Sequence, residues 1–512
     1  MLITVVAIAV VLVLRANDQV PFQRRNLQSL GVAAGTFGLL FLWWITVSRA
    51  RWRLRLGVAL AVLGLIGLAA ATFRIRGVSG DLLPILEPRW VRSVATPAVT
   101  GTNGGSGVVP SPAAPDRPDF PQFLGPDRTA VLGGPLLETN WSVHPPQILW
   151  RTPVGAGWSG FAIVGDRALT QEQRGEDELT TCRDALTGVL QWTHADPAHY
   201  ATTIAGEGPR CTPTVVSNRV YTLGATGILN CLDLVSGQRH WTRSITADAS
   251  TGMPEWGFSG SPLVIGDLVV VSAGGQPDKS LLAYRVADGS IAWTAGSAPV
   301  NYGSPFLTTL AGRPQILAFN GRRITAHDPV AGTVLWEHPW GLGQPHVAAP
   351  VVVGSNRVVF SSGYGVGAEL LEIAPGPDGG LAATRVWQSK RMKAKFSNPV
   401  ARDGFLYGLD DGILACVDLK DGSQRWKEGR YGHGQGLLVG DRYLLMSEKG
   451  ELVLLQPTPE GPNERQRAGV FNSKTWNPIA LSGDLLLVRN DREAAGLRLR
   501  IEGSMDSVRK GD

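Results

Sequence analysis

With 512 residues, 63 glycines and 16 tryptophans, the chain is long enough for several domains and has the make-up of turn-rich β structure with recurring aromatic packing. Its net charge of +5 divides unevenly: residues 1–93 hold eleven Arg against three acids, a balance of +8, which leaves −3 for the remainder. A mildly acidic remainder lacks the basic stripe of a nucleic-acid binder, and four cysteines are too few for a disulfide scaffold.

Three apolar stretches open the chain: Leu2–Leu14, Leu30–Val47 and Leu56–Phe73. The second and third approach the roughly 17–25 residues of a bilayer crossing. The first is short for a span and reads as a short helix or a signal-like segment, with retention favoured because no small-residue cleavage site follows it. Residues 1–92 are therefore read as a membrane anchor of two or three transmembrane α-helices. Arg49, Arg51, Arg53 and Arg55 crowd the loop before the third stretch, which favours the cytoplasmic side there. The third stretch then runs outward, so the chain is expected in the cytoplasmic (inner) membrane of a bacterium with its bulk facing the periplasm or exterior. Trp43, Trp44 and Trp52 suit an interface, whereas Arg24 and Arg25 fall on the outer side in this topology. Residues 93–119, rich in Pro, Gly, Ser and Thr, read as a flexible linker.

From about residue 148 the chain repeats itself. The unit Asp-x-x-x-Gly-x-x-x-Trp occurs as DALTGVLQW from Asp184, DLVSGQRHW from Asp233, DPVAGTVLW from Asp328 and DLKDGSQRW from Asp418, with Arg285 replacing the Asp in RVADGSIAW. It describes a hairpin in which the Asp carboxylate satisfies turn amides, Gly takes positive φ, and the return strand carries a Trp that fills the wedge between sheets. Each unit follows a small or polar residue, a valine-rich strand and a tight turn. Such openings stand at Gly160, Thr212, Ser261, Ser304, Ala349, Asn398, Gly436 and Asn477. Eight openings at intervals of about 40–50 residues predict an all-β, eight-bladed propeller of four-stranded blades over residues 120–500, with a tail at 501–512. The last opening lacks a Trp hairpin and Ile148–Trp150 lacks a blade, so the N-terminal strand is expected to close the final sheet.

These alternating units resemble the pyrroloquinoline-quinone-like propeller repeats of quinoprotein alcohol dehydrogenases and of the propeller lipoprotein of bacterial outer-membrane assembly. The resemblance covers about Phe120 to Leu499 and speaks for fold more than function. Dehydrogenases of that kind hold the quinone between a Trp and a vicinal disulfide, bind calcium through Glu, Asn and Asp, and use an Asp as base. Cys182, Cys231 and Cys416 each stand two residues before the repeat's Asp, in different blades and too far apart to bridge, and Cys211 has no obvious partner. They read as small buried residues. No adjacent cysteines, CxxC or CxxCH occur, so no cofactor or metal is predicted; pyrroloquinoline quinone with Ca2+ is kept as the alternative.

In a propeller the last-to-first and second-to-third strand connections gather on one face around the central funnel. The connections between blades place Arg210, Trp256, Tyr302, His346, Lys393, Lys395, Tyr431, His433, Lys474 and Trp476 there. The hairpins within blades add Arg174, Glu176, Arg489 and Asp491. This charged and aromatic set is the candidate ligand funnel; Trp256 and Trp476 offer flat faces, and the glycines of RYGHGQG (Arg430–Gly436) leave room for Tyr431 and His433. No Ser-His-Asp order, HExxH or phosphate loop stands out. The favoured expectation is a binding or scaffold propeller for a periplasmic protein partner or small ligand, with no enzymatic role. The alternative is a membrane-bound quinoprotein dehydrogenase of a sugar or alcohol, similar to the membrane glucose dehydrogenases.

Overall fold

The repeat's Asp works as its chemistry requires. In the computed structural model, which describes residues 2–17, 20, 22–91, 117–341, 343–377 and 379–503, Asp184 Oδ1 accepts from the amides of Leu186 and Thr187 at 3.1 and 2.8 Å. Asp233 holds Val235 and Ser236 in the same way, and Asp328 holds Val330 and Ala331. The turn thus fixed reverses the chain from the third strand of a blade into its outermost strand.

In five blades the Trp of that outer strand does more than fill a wedge: its N–H latches onto the next blade, whereas Trp336 bonds Gln315 of its own blade. Trp192 Nε1 donates to Leu234 O at 3.0 Å, Trp241 Nε1 to Val286 O at 3.0 Å and Trp387 Nε1 to Leu419 O at 2.8 Å. The indole lies on the hairpin glycine of that neighbour. A Cβ on Gly237 would stand 2.5 Å from the Trp192 ring, and one on Gly289 would stand 2.8 Å from Trp241. The glycine is therefore required twice, for its φ of +70° at Gly237 and for its missing side chain. Across their own blades most of these rings face a small residue: Trp192 pairs with Cys182, Trp241 with Cys231, Trp426 with Cys416 and Trp293 with Ala283, while Trp387 faces Leu370. The cysteines are free and buried, as small partners of a large ring.

Eight such sheets form an eight-bladed propeller. Their innermost strands are Ala162–Val164, Thr214–Val216, Leu263–Ile265, Phe306–Leu310, Val351–Val353, Val400–Arg402, Gln435–Val439 and Ala480–Ser482, numbered here as blades 1 to 8. Blade 8 takes its fourth strand from Gln147–Pro153, antiparallel to Glu493–Arg498, so the two ends of the propeller close the ring as the repeat count predicts. Arg489 stitches this seam. Fully buried, its guanidinium donates to Thr170 Oγ1 and Gln171 O, both at 2.8 Å, and to Gly155 O at 2.9 Å. Blade 7 carries a fifth strand, Val131–Leu132, parallel to Gln435–Val439. The middle strands are buried along almost their whole length, because each sheet is covered on both faces by its neighbours.

The chain divides into two compact units, Met1–Ala95 with Thr202–Gly206, and the remainder. In the first, helices span Leu2–Ala16, Phe22–Thr46 and Trp52–Thr72, and the latter two are long and apolar enough to cross a membrane. The second begins eight residues before the apolar stretch at Leu30 because its polar start has a buried face. Gln23, Asn26 and Ser29, three residues apart, form one stripe, and Asn26 Nδ2 donates to Asp81 O at 3.1 Å. A hairpin of Phe73–Val78 and Pro84–Pro88, which the reading of 1–92 as anchor alone leaves out, follows the third helix. Most of the expected linker (93–116 of 93–119) and of the tail (504–512 of 501–512) lies outside the described residues.

Candidate functional site

Where a blade opens on a polar residue, at Thr212, Ser261, Ser304, Asn398 and Asn477, that residue is a clasp. Gly160 N donates to Thr212 Oγ1 at 3.2 Å, Thr212 N to Ser261 Oγ at 2.9 Å, and Ser261 N to Ser304 Oγ at 2.9 Å. Further round, Ala349 N donates to Asn398 Oδ1 at 2.9 Å, and Asn477 Nδ2 donates to Gly157 O and Ser159 O at 3.0 and 2.8 Å. The repeated Asn-Pro and Ser-Pro openings thus tie inner strand to inner strand, which fixes the connections just upstream of them as the rim of the funnel.

Those connections, with Tyr364 of the hairpin between Arg357–Ser362 and Gly367–Pro375, bring aromatic rings into a connected arc. Tyr302 stacks on Trp256 with centroids 5.1 Å apart, and Trp256 meets Tyr364 at 6.2 Å. Phe396 meets Trp476 at 4.9 Å and His433 at 5.3 Å, and Trp476 meets Trp158 at 4.9 Å. Lys395 joins the two halves, its Nζ 5.0 Å from the Tyr364 ring and 5.7 Å from Phe396. Lys474 Nζ lies 3.9 Å from Trp476 and 4.8 Å from Trp158, and the Arg210 guanidinium lies 4.3 Å over Tyr200. Burial lowers Arg210 to about 10. The indole N–H groups of Trp256 and Trp476 are buried without a hydrogen-bond partner. Flat apolar faces, cations and two indole donors are brought together along this face.

The buried titratable groups near this face are held in framework bonds. Asp410, fully buried, is gripped by Lys393 Nζ at 2.5 Å and Lys427 Nζ at 2.8 Å. Burial alone would raise this carboxyl, but the two lysines outweigh it and hold it below its ordinary value. Burial raises Glu178, whose oxygens accept from Ala225 N at 2.9 Å and Thr226 Oγ1 at 3.1 Å. His346, buried between Phe319 and Trp340, is lowered to about 4 and so is neutral.

Of the residues singled out in the sequence, Arg210, Trp256, Tyr302, Lys395, His433, Lys474 and Trp476 belong to the rings and cations just described. Lys393 anchors its connection through Asp410. Others serve the framework: His346 Nδ1 pairs with Ser362 Oγ at 2.6 Å, Arg489 is the seam stitch, and Tyr431 donates its hydroxyl to Glu464 Oε2 at 2.7 Å. Arg174 pairs with the buried Glu172 at 2.7 Å. Glu176 is exposed in its hairpin turn and Asp491 is half-buried in the last such turn. Trp158 and Phe396 were not singled out. Both precede a blade opening by two residues, as Tyr302 does, and that shared position was the available signal.

Among the described residues, no group of three His, Cys, Asp or Glu is placed to hold a metal ion. Asp410 and Asp411 of the funnel face are engaged by Lys393, and no two cysteines are adjacent. These residues do not fit a quinone–calcium pair held in the dehydrogenase manner.

A family model described as outer membrane protein assembly factor BamB matches residues 127–256 and 208–428. No curated protein matches the chain. Among solved structures, a europium-containing methanol dehydrogenase is similar with a TM-score of 0.55 at 11% identity, over 72% of this chain and 89% of its own. A quinohemoprotein alcohol dehydrogenase from Comamonas testosteroni gives 0.53 at 12%, over 74% and 80%. BamB from Moraxella catarrhalis gives 0.49 at 14%, over 69% and 99%. At these identities the likeness is one of fold.

Proposed function

The chain belongs to the family of the outer membrane protein assembly factor BamB, and on that premise we propose that it is a membrane-anchored binding propeller. Its apolar helices hold it in the cytoplasmic membrane, and its funnel face engages a partner protein or small ligand outside. The observation that carries this reading is the aromatic arc from Tyr302 to Trp158 with Lys395 and Lys474 on its ring faces. A merely structural loop set has no need to gather five large rings at blade junctions that elsewhere use Gly and Pro. Binding without turnover is favoured because the abnormal acids and the buried histidine near this face are tied up in framework bonds.

The test uses the full chain in detergent micelles, carrying a photo-crosslinking residue in place of Trp256 or, separately, of Val330 on a distant hairpin. A defined adduct from the first position only, in membranes of the native host, supports the funnel as the binding face. Equal labelling from both positions opposes it. Titration with pyrroloquinoline quinone and calcium, read by tryptophan fluorescence, addresses the dehydrogenase alternative. Saturable quenching that Trp476→Ala abolishes, followed by alcohol- or sugar-dependent dye reduction, would replace the binding reading with that one.

A further inference from the structure

The segment ahead of the first blade occupies the propeller axis. Phe120 exchanges both backbone bonds with Ile163 of blade 1, each 2.8 Å, in antiparallel sense. Val215 N of blade 2 donates to Pro121 O at 2.8 Å, and the chain then turns. It returns parallel to blade 7, where Leu438 N donates to Ala130 O at 2.8 Å and Gly440 N to Leu132 O at 3.1 Å. Inner strands run from the funnel toward the first hairpin turns, so these two senses give the loop a direction: up the axis, over, and down again. Its foot agrees, for Asp119 Oδ1 accepts from Gly165 N at 2.9 Å and Arg117 pairs with Asp484 at 2.8 Å, both in first hairpin turns.

The top of the loop is held in an unusual backbone. Leu124, Arg128 and Ala130 have φ of +62°, +57° and +59°, and Gly125 has +89°. Side-chain-bearing residues adopt this region at a cost and stay there when their surroundings dictate it. Here Ala130 N donates to Leu124 O at 3.0 Å, and Arg128 reaches across to blade 3, donating to Pro262 O at 2.9 Å and Ser261 O at 3.0 Å. Arg128 is buried, and burial lowers it to about 9, yet Pro126 and Asp127 beside it are exposed.

We propose that residues Asp119–Leu132 are a built-in seal, a loop threaded into the axis that closes it and gives the funnel a floor, with Asp127 presented at its tip. The funnel is then a blind site open on one face, and a ligand there meets a carboxylate below and aromatic rings around. The seal is independent of what the funnel binds; the contact with Asp127 rests on the binding reading above.

Hydrogen exchange read by mass spectrometry on the full chain in micelles tests the seal without a ligand. Ile163, Val215 and Leu438 donate to the loop, whereas Leu232 and Leu452 lie in middle strands and report the blades. Ala130→Pro removes the amide bonded to Leu124 and cannot hold positive φ. Protection at the three inner amides should fall at least tenfold in this variant with Leu232 and Leu452 unchanged, and Asp127→Asn should leave all five as they are. Should Ala130→Pro not fold, Arg128→Gln is judged by the same criterion. Unchanged inner amides overturn the proposal. So does joint loss at all five positions, or failure of both variants to fold, since the loop would then be part of the folding core and not a seal upon it.

Discussion

At the scale of single residues, the repeat uses each side chain for a separate physical task, and His346 shows what happens when one is placed in the interior. Its Nδ1 is bonded to Ser362 Oγ and faces Trp340 Nε1 at 3.1 Å, while the ring packs on Phe319 at 5.1 Å. No acid is bonded to it, so burial dominates and lowers it to about 4 from an ordinary value of 6.5. A depressed histidine leaves the unfolded chain binding the extra proton between those two values. The stabilisation is therefore whole above pH 6.5 and is lost as pH falls toward 4, by about 3 kcal/mol in total. Urea melts of the full chain between pH 7 and pH 4 should show that fall, and His346→Phe should flatten it. A variant curve as steep as the natural one would place the acid sensitivity elsewhere.

Among elements, the latch between blades is the recurring unit of stability, and here sequence reading and structure can be compared residue by residue. The Gly and Trp of the hairpin stand at fixed spacing, with the Asp in four copies and Arg285 in the fifth, so five of the eight blades are visible as strings. Blade 5 hides its copy: Trp387 latches to Leu419, but its hairpin runs Gly367–Pro375 to Leu381–Ser389 without the Asp-x-x-x-Gly spacing. Cys182, Cys231 and Cys416 were legible only as small residues, because their reason, a Trp directly across the sheet, is a register fact. The connections between blades were legible in position, and the directions of their side chains were not. Trp256 and Tyr431 occupy comparable connections, yet one joins the arc and the other turns to Glu464, decided by partners that are distant in sequence. The latch itself predicts that Gly237→Ala is far from neutral. A Cβ 2.5 Å from Trp192 must displace the indole and also sits at φ +70°. A loss of about 2–4 kcal/mol in chemical denaturation is expected, while Gly266→Ala, at φ +55° with open space around it, should lose about 1 kcal/mol from backbone strain alone. Equal losses at the two glycines would mean that the ring contact contributes nothing.

For the whole propeller, closure distinguishes one blade from the other seven. The four blade strands of each of blades 1 to 7 are consecutive, so apart from the added Val131–Leu132 on blade 7 their pairing closes only short loops. Blade 8 joins Gln147–Pro153 to Glu493–Arg498, the two ends of the propeller, and its closure restricts the entire intervening chain. Trp150 holds this strand as Trp192 and Trp241 hold theirs: Nε1 donates to Ala185 O at 2.9 Å, and the ring covers Gly188 of blade 1 and faces Gly496 across the sheet. Removing the ring at the seam and removing it inside the ring of blades should therefore differ in kind. Trp150→Ala and Trp241→Ala delete equivalent buried side chains, and each should cost about 3–5 kcal/mol of packing. In Trp241→Ala the flanking strands remain tethered by their own hairpins, so proteolysis should follow global unfolding. In Trp150→Ala the closing strand has no hairpin to restrain it on its N-terminal side, and it should fray first. Limited proteolysis of the full chain below the unfolding midpoint is then expected to cut near residues 145–160 in Trp150→Ala alone. The same cut in both variants, or in neither, would show that the seam is no weaker than an interior junction, and that the Arg489 bonds to Gly155, Thr170 and Gln171 compensate for the missing hairpin.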